Sequence, residues 1–458
     1  VKYGDFMIDK REHLISGNIF KLMLELSIPG IIGMFVISLY SFVDAIFVGK
    51  YVGSVALGAI SVAYTFTLIN NGIAVLVGIG SASVLSRAVG RNDQKTIDSI
   101  MGNVLLLTLL FSLIAMTIGL IFAPQLLTLV GAEGEMLHLG TSYLRIVYLG
   151  SIFVNFGQAA NMVMRGEGRM GIAMLLMGIS AVLNIVLDAV FVIVLKKGLE
   201  GAAIATVISQ IVLAICNFCY FAFFSKNVRF KHFKIQTSIV KETLSIGFSA
   251  MLMQIFALLQ QMITYSTLKK YGGEDQVILM GAFFRYLMLS FIPLWGISQG
   301  YQPFAGTNFG ARKFERVKKG TFLFYGFGLF LSLIFWLVFV LMPEQVLGLF
   351  LENKELISSG RTNAMLALSL FPLSAIMIIN LTLFQALGKA KYAGILVISR
   401  QFLLYVPAVL ILPIFLGTRG IWIASPLVDT LIMILSVFIT IKLFKTELRT
   451  EDKLTSTS

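Results

Sequence analysis

IPGIIGMFVISLYSFVDAIFVGKYVG, residues 28–53, is the stretch whose reading decides the fold. It carries two charges, Asp44 and Lys50, in an otherwise apolar or small-residue run. A helix needs about 20 such residues to cross about 30 Å of hydrocarbon. Seven further windows contain no Asp, Glu, Lys or Arg at all: residues 51–86, 99–132, 201–225, 243–268, 286–311, 320–343 and 362–388. Each exceeds the crossing length. Over all 458 residues, 57% are hydrophobic, 13% are charged and the mean hydropathy is +0.89. A soluble chain is about 25% charged, and one of this length would have several domain surfaces to cover. Composition therefore excludes a soluble enzyme, a disordered chain and a nucleic-acid binder. A membrane barrel would show weak alternation rather than long apolar runs. The fold class is an all-α polytopic membrane protein.

Spans that carry one or two charges fill the gaps between these windows. The pattern predicts twelve: about 22–48, 54–84, 99–122, 137–163, 171–195, 200–223, 243–268, 277–306, 319–341, 360–385, 392–415 and 420–441. Residues 1–21 are polar and carry both signs of charge, unlike a secretory signal peptide. The net charge of +13 comes from 36 Lys and Arg. With both termini inside, 25 of them fall in inner segments and 8 in outer loops. Arg145, Arg285 and Arg400 lie within spans. That bias follows the positive-inside rule and predicts cytoplasmic termini.

The basic segment SKNVRFKHFKIQ, residues 225–236, divides the chain into halves that resemble each other. GKYVG (49–53) pairs with KKYGG (269–273). GIGSASVLSRAVGRND (78–93) pairs with SQGYQPFAGTNFGARK (298–313), and RGEGR (165–169) with QALGK (385–389). All three pairs share one offset in numbering, 220, and GLEG (198–201) pairs with GTRG (417–420) at 219. A nearly constant offset across four loops indicates duplication. Six spans per half is an even number, so the halves enter from the same side as a parallel repeat. The expected organisation is an amino-terminal lobe over 1–224, a basic cytoplasmic linker over 225–240 and a carboxyl-terminal lobe over 241–458. Two bundles of this kind suit alternating access better than a channel or a structural role.

Of 23 acidic residues, three lie deep in spans: Asp44, Asp188 and Asp429. A central Asp costs about 2.5–3.5 kcal/mol on insertion scales, so it faces a cavity or a partner. A structural hydrogen bond between helices is the plain alternative for each. For Asp429 it is favoured, with Arg285 and Arg400 as available partners. Asp44 and Asp188 are both in the first half. Their repeat counterparts, Thr264 and Pro407, are not acidic. Both aspartates lie toward the outer ends of their spans. Tyr40 is one turn before Asp44 and Asn184 one turn before Asp188 on the same face, with Thr206 at matching depth in the sixth span. Two carboxylates close together in low dielectric hold one proton with raised affinity. The same oxygens could instead hold sodium. Pro29 removes a backbone hydrogen bond from the first span and allows a bend.

Other chemistry is weak here. Cys216 and Cys219 form a CxxC inside an apolar span with no completing His, and read as packing. His13, His138 and His232 lie in the tail or near loops and do not make an intramembrane acid–base site. The 20 Met and 38 Phe suit adaptable apolar pockets, but most face lipid or pack helices. An intramembrane aspartyl protease needs a GxGD context; the first-half aspartates sit in FVDAIF and VLDAVF.

The chain as a whole resembles the multidrug and toxic compound extrusion (MATE) transporters, in their DinF-like branch. The resemblance runs from residue 28 to the last span. It rests on SFVDAIFVGKYVG (41–53), GRND (90–93), RGEGR, LNIVLDAVF (183–191), QGYQPFAGTNFGA (299–311) and QALGKA (385–390). It implies two six-helix lobes around a central cleft and no enzymatic activity. It also implies export of amphipathic, often cationic, organic compounds from the cytoplasmic membrane of a prokaryote, by a monomer in lipid without nucleic acid. It further implies no bound cofactor, with an inward proton gradient, or less favoured sodium, to drive export. The branch's amino-lobe site resembles Asp44, Asn184, Asp188 and Thr206. Asn161 matches it too, although it lies nearer the cytoplasmic end than the aspartates. Pro29 matches the branch's helix-bending proline. Other branches carry acids in the carboxyl lobe. This chain has Gln254, Gln260 and Gln261 there, so Asp429, Arg285, Arg400 and Gln254 are secondary candidates. The rival expectation is a flippase for lipid-linked substrates, against which the few span-borne cations weigh.

Overall fold

The computed structural model describes residues 5–455. Within them the chain is helical throughout and contains no strand. A short leading helix, Asp5–Ser16, precedes the membrane helices. The first six of these are α1 (Ile19–Tyr51), α2 (Ser54–Arg91), α3 (Gln94–Leu129), α4 (Gly134–Gly166), α5 (Met170–Val194) and α6 (Gly198–Phe224). Helix α4 is one span bent by 56° at Gly150, between Gly134–Leu149 and Ser151–Gly166. A 74-residue helical stretch, Thr237–Gly310, is broken at Gly273, where φ is 74° and ψ is −168°. That break separates α7, which begins at Thr237, from α8, which ends at Gly310. Then follow α9 (Phe314–Leu341), α10 (Lys354–Ala386), α11 (Ala390–Leu416) and α12 (Thr418–Thr446). Ten helices are long and apolar enough to cross by themselves. Counting the bent pair as one span and the broken stretch as two gives the expected twelve among the described residues.

The duplication is written into the backbone at the turns. A left-handed residue recurs at Gly53 and Gly273, at Asn92 and Arg312, and at Gly168 and Gly388, each pair at the offset of the matched loops. Gly198 and Gly417 recur in the fourth matched loop. Glycine accepts positive φ without steric cost, and Asn tolerates it. Arg312 keeps the conformation its repeat dictates although its residue type does not favour it. After Asn92, Asp93 caps α3 by accepting from the Thr96 N–H at 3.2 Å and its hydroxyl at 2.7 Å. Those bonds hold the Asp93 carboxyl below the usual carboxylate range.

The contacts divide the chain into two units. Residues through Leu14 join Ile32–Gln254, and Ile15–Ile31 join the chain from Ile255 onward. Against the expected lobes, the start of α1 thus belongs with the second unit and the start of α7 with the first. The physical reason is backbone packing at glycines. In the first unit, a Cβ on Gly80 would strike the Thr243 carbonyl, and one on Gly247 the Leu76 carbonyl. In the second, a Cβ on Gly30 would come within 2.7 Å of the Gly296 carbonyl, and one on Gly300 within 2.8 Å of the Leu26 carbonyl. Leu76 and Gly296, and Gly80 and Gly300, are themselves repeat counterparts. Without side chains between them these helices approach more closely than lipid-facing packing allows.

Further ties lie in the first unit. Arg87, at 6% side-chain exposure, reaches Glu242 at the start of α7 as an ion pair. The linker after α6 runs across the start of α3. There, Gln236 donates to Ser99 Oγ at 2.6 Å, and Lys231 pairs with Asp98 at 2.9 Å. The core of this unit includes one cluster around Val84, Ile100 and Val163 and another around Ala63, Leu127 and Leu144.

Candidate functional site

Helix α5 runs as a regular α-helix to Asp188, and the next residues, Ala189–Val194, form a π-helical turn. Such turns mark places where the backbone ladder is locally loosened. Asp188 is 0% exposed and its Oδ1 has no hydrogen-bond partner. Asp44, on α1, engages it side chain to side chain, and Asp44 Oδ1 is likewise buried without a partner. Two carboxyls therefore meet in the interior of the first unit. Asn184 completes the set. In the orientation that satisfies both ends of its amide, it donates to Asp188 Oδ2 at 3.3 Å and accepts from the Thr206 N–H at 3.3 Å. The other orientation leaves it donating to Thr206 Oγ1 at 3.5 Å. Only the first gives Asp188 a donor.

Tyr40, Asp44, Asp188 and a further tyrosine, Tyr64 on α2, all lie within electrostatic reach of Tyr143 on α4. The structure thus brings together Tyr40, Asp44, Asn184, Asp188 and Thr206, and adds Tyr64 and Tyr143. Sequence reasoning missed both tyrosines. Each is an ordinary aromatic in an apolar span; only the tertiary structure buries Tyr143 beside these groups, while Tyr64 stays half exposed. A second buried polar group, Asn155 donating to Ser112 Oγ at 2.9 Å and to Asn70 Oδ1 at 3.3 Å, was equally illegible.

The remaining candidates are placed elsewhere. Asn161 is fully buried and donates to the Ala173 carbonyl at 2.9 Å, tying α4 to the start of α5. Ala173 precedes Asp188 by fifteen residues, a rise of about 22 Å along a helix, so Asn161 is not gathered with the aspartates. Pro29 lies inside α1, directly before the point where that helix changes unit. Gln254 donates to the Leu68 carbonyl of α2 at 2.9 Å. In the second unit, Arg400 Nε lies 2.8 Å from Asp429 Oδ1, and Ser425 Oγ donates to Asp429 Oδ2 at 3.3 Å. Arg285 is exposed, so of the two available cations Arg400 is the partner. Among the described residues, no group of three or more His, Cys, Asp or Glu is placed to hold a metal.

Twelve apolar helices in a duplicated set, with a polar cluster inside one unit, define a multi-pass membrane protein. The MatE family model matches residues 29–190 and again 249–411, once in each half. The chain belongs to the MatE family, whose members are transporters. It is 25% identical over 405 residues to the multidrug export protein MepA of Staphylococcus aureus, covering 88% of this chain and 89% of that one. To MepA of Staphylococcus haemolyticus it is 24% identical over 424 residues, covering 92% and 93%. Among solved structures, it superposes on a MATE transporter in its bent conformation with a TM-score of 0.90. The identity there is 26%, over 96% of this chain and 99% of that one.

Proposed function

We propose that this transporter is a cation-coupled multidrug antiporter that exchanges inward protons for outward amphipathic, often cationic, organic compounds by alternating access. The observation that carries the reading is the meeting of Asp44 and Asp188 inside the first unit. Two carboxyls in contact and away from water cannot both ionise cheaply, so the pair holds one proton and releases it when its surroundings rewet. The likeness to multidrug export proteins supports the substrate class.

Asn184 fits a pair that trades one proton in either orientation of its amide: its N–H can donate to an ionised Asp188, and its oxygen can accept from a protonated one. Charge on the pair then biases α1, which carries Asp44 and has Pro29 as a place to bend. One proton moving inward supplies about 2.3 kcal/mol per 100 mV. On this reading the protein works as a monomer in the cytoplasmic membrane of a prokaryote, with both termini inside. It needs no cofactor beyond the ion gradient.

Dye efflux from proteoliposomes tests the proposal, with a pH gradient and a sodium gradient imposed separately. A pH gradient alone should drive efflux. Efflux driven only by sodium would replace the proton with sodium at the same residues. Failure of both gradients to drive efflux from correctly inserted protein would end the antiport reading.

A further inference from the structure

The second unit contains a cavity of about 320 Å³ that the exchange described above does not use. That volume is in the range of sites for drug-sized molecules. Its apolar walls include Phe284, Met288, Phe291 and Phe371, and the Phe291 and Phe371 rings meet edge to face at 5.2 Å. At its polar end sit Arg400, Tyr405 and Asp429. Arg400 belongs to a π-helical turn, Ser399–Leu404, in α11. The side chains of Arg400 and Asp429 are 25% and 19% exposed, so bulk water screens them little.

The two charges are not equally occupied. Both oxygens of Asp429 already accept, one from Arg400 Nε and one from Ser425. A guanidinium has five N–H donors. Asp429 takes only the one on Nε, and the others have no protein partner among the described residues. The cavity therefore offers a fixed cationic fork beside aromatic walls, while its only carboxylate is engaged. A ligand cation would have to compete with Arg400 for Asp429. A ligand carboxylate would meet unused donors held in the geometry that suits it.

We propose that this cavity is a second ligand site, selective for flat aromatic carboxylates. The rings lie among Phe284, Phe291 and Phe371, and the carboxylate accepts from the outer nitrogens of Arg400. Asp429 holds the guanidinium in place, and the Tyr405 hydroxyl, itself 3.0 Å from Thr264 Oγ1, borders the same end. This site rests on residues of the second unit alone and does not depend on coupling at Asp44 and Asp188.

The test is fluorescence anisotropy on the purified full-length protein, with a fluorescent coumarin carboxylate and its ethyl ester as matched probes. The acid should bind about tenfold tighter than the ester, as a charge-assisted bond allows. Arg400→Gln alone strands Asp429, so the Arg400→Gln/Asp429→Asn double variant is used, which removes both charges at similar volume. It should abolish the preference for the acid and leave the ester's affinity within about twofold. Ala367→Trp, which fills the cavity, should abolish binding of both probes. Asp44→Asn should lose proton-coupled transport yet still bind the acid. Equal binding of acid and ester by the unmodified protein would overturn the proposal. So would an undiminished preference in the double variant, normal binding by Ala367→Trp, or loss of acid binding in Asp44→Asn.

Discussion

Arg400 Nε lies 2.8 Å from Asp429 Oδ1, so the half-buried acid of α12 has a cation of its own, whereas the buried acid of α5 faces a second carboxyl. A neutralised ion pair holds a fixed charge. A carboxyl pair has a proton to exchange. The duplicated halves thus carry the same helices and different electrostatics.

Asp44→Asn and Asp188→Asn should each reduce substrate-driven proton movement by at least about tenfold, and the double variant should be no worse than either single one. Residues that share one proton act as a unit, so their effects are not additive. A pH-sensitive dye inside proteoliposomes reads this directly, with reconstituted protein matched between samples. Normal coupled flux in both single variants would remove the proposed site.

Asn184→Leu keeps the volume and deletes the amide. It strands Asp188 Oδ2, which is 3.3 Å from the amide, while the Thr206 N–H keeps its bond within α6. Leaving buried polar groups unsatisfied costs about 1–3 kcal/mol. The thermal unfolding midpoint in detergent should fall accordingly, and coupled flux should fall with it. A variant as stable and as active as the parent would show that Asn184 does not organise the pair.

Asp429→Asn should weaken coupled transport less than Asp44→Asn does. Arg400→Gln should be the more damaging to stability, because it leaves the half-buried Asp429 carboxylate without its cation, at a cost below the roughly 3–5 kcal/mol of a fully buried pair. The double neutral variant should recover most of that loss. Thermal melts of the three proteins decide the stability claim. Complete loss of transport in Asp429→Asn would move the coupling site to the second unit.

Gly247→Ala should destabilise the protein by about 1–3 kcal/mol, the usual cost of overpacking, since the new methyl has only the Leu76 carbonyl to enter. Gly178→Ala is the control. It lies in mid-α5 with nothing within 4 Å of an added Cβ. It should be neutral or slightly stabilising, because Ala is the better helix former. Equal melts for the two variants would mean that α7 can shift on α2 without cost.

How far the sequence carries depends on what each feature is local to. Whether a segment enters lipid is decided by its own composition, because in hydrocarbon every backbone polar group must be satisfied within the helix. The twelve spans are therefore legible in the apolar windows. The duplication is legible in the loops, since Gly53 and Gly273, or Gly168 and Gly388, mark turns that need positive φ. The depth of Asp44 and Asp188 along their helices is a matter of counting. Rotation is not. Lipid is as apolar as a leucine, so hydrophobicity does not say which face of a membrane helix meets a neighbour. Only the tertiary structure buried Tyr143 beside the aspartates, chose Arg400 over Arg285, and set Asn161 against Ala173. Only it gave the start of α1 to one unit and the start of α7 to the other, through glycine-to-carbonyl contacts between segments far apart in the chain. The sequence by itself determined that this chain crosses a membrane twelve times as a repeated set of six. The packing of bare backbones and a few buried polar groups, which depends on distant segments at once, decided where its charges meet.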